Sequence, residues 1–276
     1  MKLQFAKMHG LGNDFVVIDE RANNYGLAPD TLARLADRRL GVGCDQVLFL
    51  EPANNEKAIA RYRVANADGS EAEHCGNGIR CIAAYLARRG EVSERLWIEV
   101  GDEVFELYFT QEQQVCVEMG VPQFEPQDIP LNQDSRIPRY QTSFDGASFE
   151  FGAVSMGNPH AVIEVDNVDE YDVAPVGRLI QSSNLFPEGV NVGFMQTLSS
   201  AHVRLRVFER GVGETRACGT GACAAVAIGR RWGVLDDLVA VDLTGGRLAI
   251  HWDGSDSNQM TMTGPATFVY EGTIEL

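Results

Sequence analysis

The amino-acid sequence predicts a protein of the α/β class, of the α+β type, in which two pseudo-symmetric halves each wrap strands around one central helix. The main observation is an internal repeat, because the chain aligns with itself when it is shifted by 143 to 145 positions. Each copy also holds short β-branched runs on both sides of one Ala-rich apolar segment. We place the halves at 1–120 and 121–264, a length at which each can form a domain of ordinary size.

Polar residues take part in the repeat, and they locate a candidate site. The matched pairs are Asn13 with Asn158, Gln46 with Asn191, Asn66 with Glu209, and Cys75 with Cys218. Retention of a duplicated core would explain the matched apolar positions, but it does not require amides and thiols to repeat in register. We therefore expect both halves to face one shared cleft that forms the active site. The third pair is the one that differs in charge, so it marks where this cleft would bind an asymmetric molecule.

The strands and helices follow from local patterns. Strands are predicted at runs such as RYRV, LWIEV, QVCVEM, VRLRVF and VAVDL, which turn residues separate. One central helix is predicted over 77–90, with Asn77 as its N-cap. The other is predicted over 220–233, with Thr220 as its N-cap, and a glycine ends each helix. Between the copies, 122–138 holds four of the ten prolines, which is typical of a linker.

Composition limits what the chain can bind. A net charge of −16 without a basic stripe excludes nucleic acid and anionic membrane surfaces as partners. The longest apolar run is too short to span a bilayer, and the N-terminus has no secretory-signal pattern, so we expect a cytoplasmic protein. The expected partners are a small-molecule substrate and, in a homodimer, a second copy of the chain.

The six cysteines are expected to be thiols in that compartment. The spacings C-x5-C and C-x4-C come without a further His or Cys pair, so they do not provide a zinc site. No Lys lies in a pyridoxal-type context. We therefore expect no metal and no cofactor. Four cysteines are expected to be small buried residues of the core: Cys44, Cys81, Cys116 and Cys223.

The other two cysteines, Cys75 and Cys218, precede the two central helices. The N–H groups at a helix start favour the thiolate and lower the pKa of an adjacent thiol. They can also bind a carboxylate, and they belong here to Gly76, Asn77, Gly219 and Thr220. Two thiols on opposite faces of one α-carbon can invert its configuration, because one removes a proton and the other supplies one.

Six longer segments carry a family resemblance: MHGLGNDFVVID (8–19), RRLGVGCDQVL (38–48), NADGSEAEHCGNGIRC (66–81), SMGNPHAVI (155–163), FPEGVNVGFMQ (186–196) and ERGVGETRACGTGACAA (209–225). They closely resemble the diaminopimelate epimerase family, and the resemblance covers essentially the full chain. It implies a cofactor-independent enzyme that interconverts LL- and meso-diaminopimelate in lysine and cell-wall precursor biosynthesis. It also implies two similar α/β halves that face each other across a cleft, with 265–276 returning to the N-terminal half.

The resemblance implies a role for each matched residue. Cys75 and Cys218 would be the two catalytic acid/base thiols. The residues that would bind substrate are Asn13, Gln46, Asn66, Gly76, Asn77, Asn158, Asn191, Glu209, Arg210, Gly219 and Thr220. Glu209 and Arg210 would hold the non-reacting end, which carries an ammonium and a carboxylate. His160 is interpreted as a structural hydrogen-bonding residue, with a role as an auxiliary base as the second interpretation.

Two other functions stay open at this point. A related amino-acid racemase, similar to proline racemase, would share the two thiols but would have little use for Glu209 and Arg210. A thiol redox or binding protein would instead use a reversible disulfide between Cys75 and Cys218.

Overall fold

The computed structural model describes residues 1–72, 76–144 and 147–276. The chain divides into two compact units. Unit 1 comprises Met1–Glu118 and Thr263–Leu276, and unit 2 comprises Met119–Met262. The last segment of the chain is therefore part of unit 1. No described helix is long and apolar enough to cross a membrane.

The described ranges contain strands and helices in the following order along the chain. The strands are β1 (Lys2–Gly10), β2 (Asn13–Asp19), β3 (Gln46–Glu51), β4 (Ala60–Asn66), β5 (Arg95–Val100), β6 (Glu103–Phe109), β7 (Val115–Glu118), β8 (Tyr140–Phe144), β9 (Ala147–Ser155), β10 (Pro159–Glu164), β11 (Asn191–Ser199), β12 (His202–Glu209), β13 (Gly213–Thr215), β14 (Leu238–Leu243), β15 (Gly246–His251), β16 (Thr261–Gly264) and β17 (Thr267–Glu275). The helices are α1 (Pro29–Ala36), α2 (Gly76–Arg88), α3 (Val173–Gln181) and α4 (Gly219–Arg231), and a 3-10 turn spans Pro126–Asp128.

Both units pair their strands in the same order. In unit 1, β1 is antiparallel to both β17 and β2, β2 is parallel to β3, β3 is antiparallel to β4, and β4 is parallel to β5. In unit 2, β9 is antiparallel to both β8 and β10, β10 is parallel to β11, β11 is antiparallel to β12, and β12 is parallel to β14. An antiparallel hairpin follows in each unit, β5 with β6 and β14 with β15. The predicted α/β fold with two pseudo-symmetric halves is confirmed.

The central helix of each unit is almost wholly buried. Ten residues of α2 and ten of α4 are buried, since both helices are built from small and apolar side chains. Close approach of the strands depends on glycine, because a Cβ at Gly152 of β9 would lie 2.4 Å from the Ile228 side chain of α4. The four cysteines assigned to the core are buried, as predicted: Cys44, Cys81, Cys116 and Cys223.

The ends of the central helices differ in part from the prediction. α4 begins at Gly219, and Cys218, with extended backbone angles, is its N-cap. α2 begins at Gly76. The predicted N-caps Asn77 and Thr220 are therefore wrong, because a glycine already takes the first helical position and both residues lie inside the first turn.

The C-terminal ends agree with the prediction. Gly90 and Gly233 have φ of +74° and +73°, and each follows its helix. The N–H of Gly233 donates to the Arg230 carbonyl and the N–H of Val234 to the Gly229 carbonyl. Two hydrogen bonds of the same spacing close α2, so both helices end in a Schellman motif.

Each unit contains a second, shorter helix that the sequence patterns did not predict. α1 packs Leu32, Leu35 and Ala36 into the core of unit 1. α3 lies 144 positions later and packs the same kind of face into unit 2, where a Cβ at Gly177 would lie 2.5 Å from the Phe208 ring. Both helices are amphipathic and span at most nine residues, so their apolar period is too short to stand out in the sequence.

Candidate active site

Cys218 lies at the start of the central helix of unit 2. It is buried, with 5% of its surface exposed. Its Sγ lies 3.7 Å from the Thr220 hydroxyl. Burial raises the pKa of the Cys218 thiol well above its usual range, and the negative charge of Glu209 raises it further. The hydroxyl of Thr220 and the N–H of Gly221 act in the opposite direction, but they do not offset the burial. The expected lowering of this pKa by the helix start is therefore wrong for Cys218, which is held as a thiol.

Glu209 ends β12 and lies directly beside that thiol. Its carboxylate accepts hydrogen bonds from the Thr215 hydroxyl and from the Cys218 thiol. Burial raises the pKa of Glu209, and these two hydrogen bonds lower it by less. The short strand β13 brings Thr215 into position, because it pairs with the end of β12. The sequence assigned Glu209 to the non-reacting end of a substrate, whereas its hydrogen bond to Cys218 places the carboxylate at the thiol.

Arg210 and Asn191 are joined by a short contact between β11 and the end of β12. The Asn191 side-chain oxygen accepts from the Arg210 backbone N–H at 2.8 Å. The guanidinium of Arg210 donates to the Glu188 carbonyl at 2.7 Å. Gly189 makes room for this side chain, because it has a φ of +77° and a Cβ there would lie 2.7 Å from Arg210 Cδ. Two residues predicted to bind substrate are thus brought together in unit 2.

Asn158 lies in the turn between β9 and β10, and His160 lies in β10. Gly157, with a φ of +87°, makes the turn, and the Asn158 Oδ1 lies 2.9 Å from His160 Nε2. Because a carbonyl oxygen only accepts, Nε2 carries the proton in this contact. Burial and the positive charge of Arg210 lower the pKa of His160 to about 3, so the ring is neutral at ordinary pH. His160 acts here as a hydrogen-bond donor to a predicted substrate-binding amide.

The candidate residues of unit 1 form two pairs of amides. Gln46 and Asn66 face each other across β3 and β4, with the Gln46 amide donating to the Asn66 oxygen at 3.2 Å. Asn77, in the first turn of α2, donates to the Asn13 oxygen at 3.2 Å. Gly76 is the first residue of that helix. Cys75, which precedes it, lies outside the described residues.

Three residues that hydrogen-bond to predicted site residues were not themselves predicted to belong to the site. They are Asp45 and Arg80 in unit 1 and Thr215 in unit 2. Each lies close to a predicted residue in the sequence. Asp45 is next to Gln46, Arg80 lies within GNGIRC, and Thr215 lies four positions before Gly219. What the sequence could not show is that their side chains turn toward the predicted residues.

Among the described residues, no three or more His, Cys, Asp or Glu side chains lie together in a way that could hold a metal ion. The polar groups that do come together are amides, a carboxylate, a thiol, hydroxyls and guanidinium groups. Such groups bind charged organic molecules and transfer protons.

Solved structures with the same fold include epimerases and racemases. A hydroxyproline epimerase from Agrobacterium vitis superposes with a TM-score of 0.71, at 15% identity, over 99% of this chain and 92% of that one. A probable proline racemase from Agrobacterium radiobacter gives a TM-score of 0.72, also at 15% identity, over 99% and 93% of the two chains. The fold is thus one that amino-acid epimerases use.

Sequence comparison defines the family within that class. The family model described as diaminopimelate epimerase matches residues 5–125 and 152–269. The chain is 52% identical over 278 residues to the diaminopimelate epimerase of Thioalkalivibrio sulfidiphilus, and 51% identical over 279 residues to that of Alkalilimnicola ehrlichii. Both alignments cover 100% of each protein. The chain belongs to the diaminopimelate epimerase family, as the sequence segments predicted.

Proposed function

We propose that this chain interconverts LL-diaminopimelate and meso-diaminopimelate, without a cofactor, by removing a proton from one face of an α-carbon and adding one to the other face. Cys75 and Cys218 are the two acid/base groups. The observation that carries the proposal is the buried Cys218 thiol, held at the start of α4 beside the Glu209 carboxylate. Family membership and identities near 50% over the full chain support the choice of substrate.

The raised pKa of Cys218 suits it to the role of acid. A buried thiol that keeps its proton can deliver it to a carbanion, which is a far stronger base than a thiolate. In that direction of the reaction, Cys75 is the base. The backbone N–H groups of Gly219 and Thr220 in unit 2, with those of Gly76 and Asn77 in unit 1, stabilise the charge that develops on the substrate carboxylate.

The reverse direction requires Cys218 as a thiolate. The negative charge of Glu209 opposes that ionisation, because it is one of the causes that raise the thiol pKa. A substrate ammonium bound to Glu209 would neutralise this charge and so lower the pKa of Cys218 when the substrate is in place. Glu209 thereby links substrate binding to proton transfer, and the other end of the substrate is held by Arg210 and the amides.

Two further properties belong to the proposal. The enzyme acts in the cytoplasm, where thiols stay reduced, and a homodimer is the assembly we propose. Oxidation of the thiol pair to a disulfide inactivates the enzyme, since both thiols are needed in turn. If activity were unchanged after the Cys75–Cys218 disulfide formed, a redox or binding function would be favoured instead.

The racemase alternative has less support. A racemase similar to proline racemase would share the two thiols and the fold, and the structural neighbours include such an enzyme at 15% identity. The relatives at about 50% identity are diaminopimelate epimerases over their whole length. Proline offered to the enzyme is therefore expected to be neither epimerised nor labelled.

The test uses LL-diaminopimelate in heavy water with the wild type, Cys75→Ala and Cys218→Ala. We expect epimerisation with deuterium uptake for the wild type and a loss of about a thousandfold or more in each variant, because each removes one of two obligatory proton-transfer groups. Cys223→Ala is the matched control, since it removes a buried thiol of the same helix and should keep the activity. A fully active Cys75→Ala or Cys218→Ala would refute the two-thiol mechanism.

A further inference from the structure

A continuous row of polar side chains crosses unit 1 and connects its surface to the first turn of α2. Arg38 donates to Asp45 at 2.7 Å, and Asp45 accepts from the Asn13 amide at 3.1 Å. Asn13 accepts from the Asn77 amide at 3.2 Å, and Asn77 accepts from the Arg80 guanidinium at 2.7 Å. We call these five residues the amide chain, because two amides lie between a carboxylate and a guanidinium.

The two ends of the amide chain dictate how the amides are oriented. An ionised Asp45 can only accept, so the NH2 group of Asn13 must face it and the Asn13 oxygen must face Asn77. Arg80 can only donate, so the oxygen of Asn77 must face it and its NH2 group must face Asn13. The charges at the two ends therefore reinforce one orientation of both amides.

Arg80 also holds the backbone at the start of α2. A second nitrogen of its guanidinium donates to the Gly76 carbonyl at 3.0 Å. The side chain is fully buried, with 0% exposure, and Asn77 is 2% exposed. A buried guanidinium has a large desolvation cost, which hydrogen bonds offset only in part. Burial of this guanidinium is therefore weak evidence for a role in stability.

The internal repeat shows that the fold does not require these charges. By the same shifts, Val190 stands at the position of Asp45 and Cys223 at the position of Arg80. Cys223 is fully buried in α4, which has the same length and the same C-terminal motif as α2. One unit thus builds the central helix with a small thiol where the other places a buried guanidinium.

We propose that Asp45 and Arg80 are positioning residues, which fix Asn13, Asn77 and the N–H groups at the start of α2 in the geometry that binds the substrate. This inference rests on the proposed function of the chain. Asp45 acts through Asn13 and fixes which group of that amide faces the substrate. Arg80 acts through Asn77 and the backbone at Gly76, so it fixes the helix start that follows Cys75 in the chain.

The test compares single and double variants of the full-length enzyme. Asp45→Asn keeps the shape but removes one of the two charges that reinforce the orientation of the Asn13 amide, so KM should rise about tenfold with a smaller change in kcat. Arg80→Met fills the same space without donors, and kcat/KM should fall about tenfold or more. Arg80→Lys retains a cation that reaches fewer acceptors, so its kcat/KM should lie between that of the Arg80→Met variant and that of the wild type.

Non-additivity separates positioning from a general structural role. If Asp45 acts through Asn13, then Asp45→Asn should change kcat/KM by less than about twofold in an Asn13→Ala background. Arg80→Met should likewise have little effect in an Asn77→Ala background. Full, additive losses in the alanine backgrounds, or wild-type kinetics in both single variants, would overturn the inference.

Two control variants remove matched charges elsewhere. Arg21→Met removes an arginine that follows the C-terminal end of β2 and is hydrogen-bonded to Asp19 and Glu91. Asp242→Asn removes the charge of a hydrogen-bonded carboxylate in β14. Both should keep wild-type KM and kcat. If the Arg80→Met variant does not fold, the double-mutant cycle of Asp45→Asn and Asn13→Ala tests the inference by itself. The proposed function is tested separately, because a failure there appears as inactivity of the wild type on diaminopimelate.

Discussion

The two units share one order of strand pairing but hold their candidate site residues by different means. Unit 1 fixes two amides between charged groups, Asp45 at the surface and Arg80 in the core. In unit 2, the neutral ring of His160 donates to Asn158, and Glu209, whose pKa is raised by burial, lies beside the Cys218 thiol. Two copies of one scaffold can therefore place polar residues at equivalent positions and still hold them by different contacts.

That distinction follows from burial and charge. The pKa of Asp14, next to Asn13, would be raised by burial, but hydrogen bonds from Arg38 and Lys7 hold it well below its usual range. Asp14 therefore stays charged. At the candidate site of unit 2, burial acts on groups that have fewer opposite charges near them. The pKa shifts of His160, Glu209 and Cys218 therefore all favour the neutral form of each group.

Among substitutions that distinguish the two units, the largest effect is expected at Glu209. Glu209→Gln removes the charge beside Cys218 and the acceptor for a substrate ammonium, so kcat/KM should fall about a hundredfold. The pKa of Cys218 should fall at the same time, because the charge of Glu209 is among the causes that raise it. Both can be measured, the first by epimerisation rates and the second by NMR titration of a ¹³C-labelled Cys218. A higher thiol pKa in the variant would contradict the assigned electrostatics.

The next effect concerns stability and pH, and it should separate the two units. His160 has a pKa of about 3 in the folded protein against 6.5 when exposed, so the unfolded state alone gains a proton as the pH falls below 6.5. The free energy of unfolding should therefore decrease, by about 2 kcal/mol at pH 5. Asp14 has the lowered pKa of a paired carboxylate. Its contribution to the free energy of unfolding is lost only as the pH falls below 3.8, where the carboxylate of the unfolded chain gains its proton.

Urea unfolding of the wild type and His160→Gln at pH 7 and pH 5 measures this difference. The glutamine keeps a hydrogen-bond donor near Asn158 and cannot titrate in this range. The stability loss between the two pH values should be smaller in the variant by about 2 kcal/mol. Equal losses in both proteins would mean that His160 is not the group that titrates.

The smallest effect is expected at Gly189. A methyl group there would meet Arg210 Cδ at 2.7 Å and would also strain a backbone with a φ of +77°. Gly189→Ala should therefore displace Arg210 and raise KM about threefold to tenfold, with kcat less affected. Gly101→Ala is the matched control, since Gly101 also has a positive φ but no neighbour within 4 Å of the added Cβ. A KM that rises equally in the control would contradict the role of this contact.

The sequence was most informative where a physical pattern repeats. The internal repeat predicted the two-fold organisation of the strands, and the glycines after α2 and α4 predicted where these helices end. Thiols and amides that pair in register predicted the candidate site residues. These features are readable because each depends on a residue type at a fixed spacing.

Contacts made across the fold were not readable in the same way. The helix start favours a thiolate in isolation, but the burial of Cys218 and the charge of Glu209 reverse the direction of its pKa shift. Glycine rather than Asn77 or Thr220 opens each central helix. Arg80 carries a charge, and the structure shows it fully buried. Each of these outcomes depends on neighbours that are distant along the chain.

The most direct test of the two-thiol mechanism is the distribution of deuterium early in the reaction of LL-diaminopimelate in heavy water. With two different groups acting on the two faces, the product should carry one deuterium at the inverted carbon, and the recovered substrate should carry almost none. Mass spectrometry of both isomers at low conversion gives this ratio. Product that keeps the original protium would show that one group removes and returns the same proton, which would contradict the division of roles between Cys75 and Cys218.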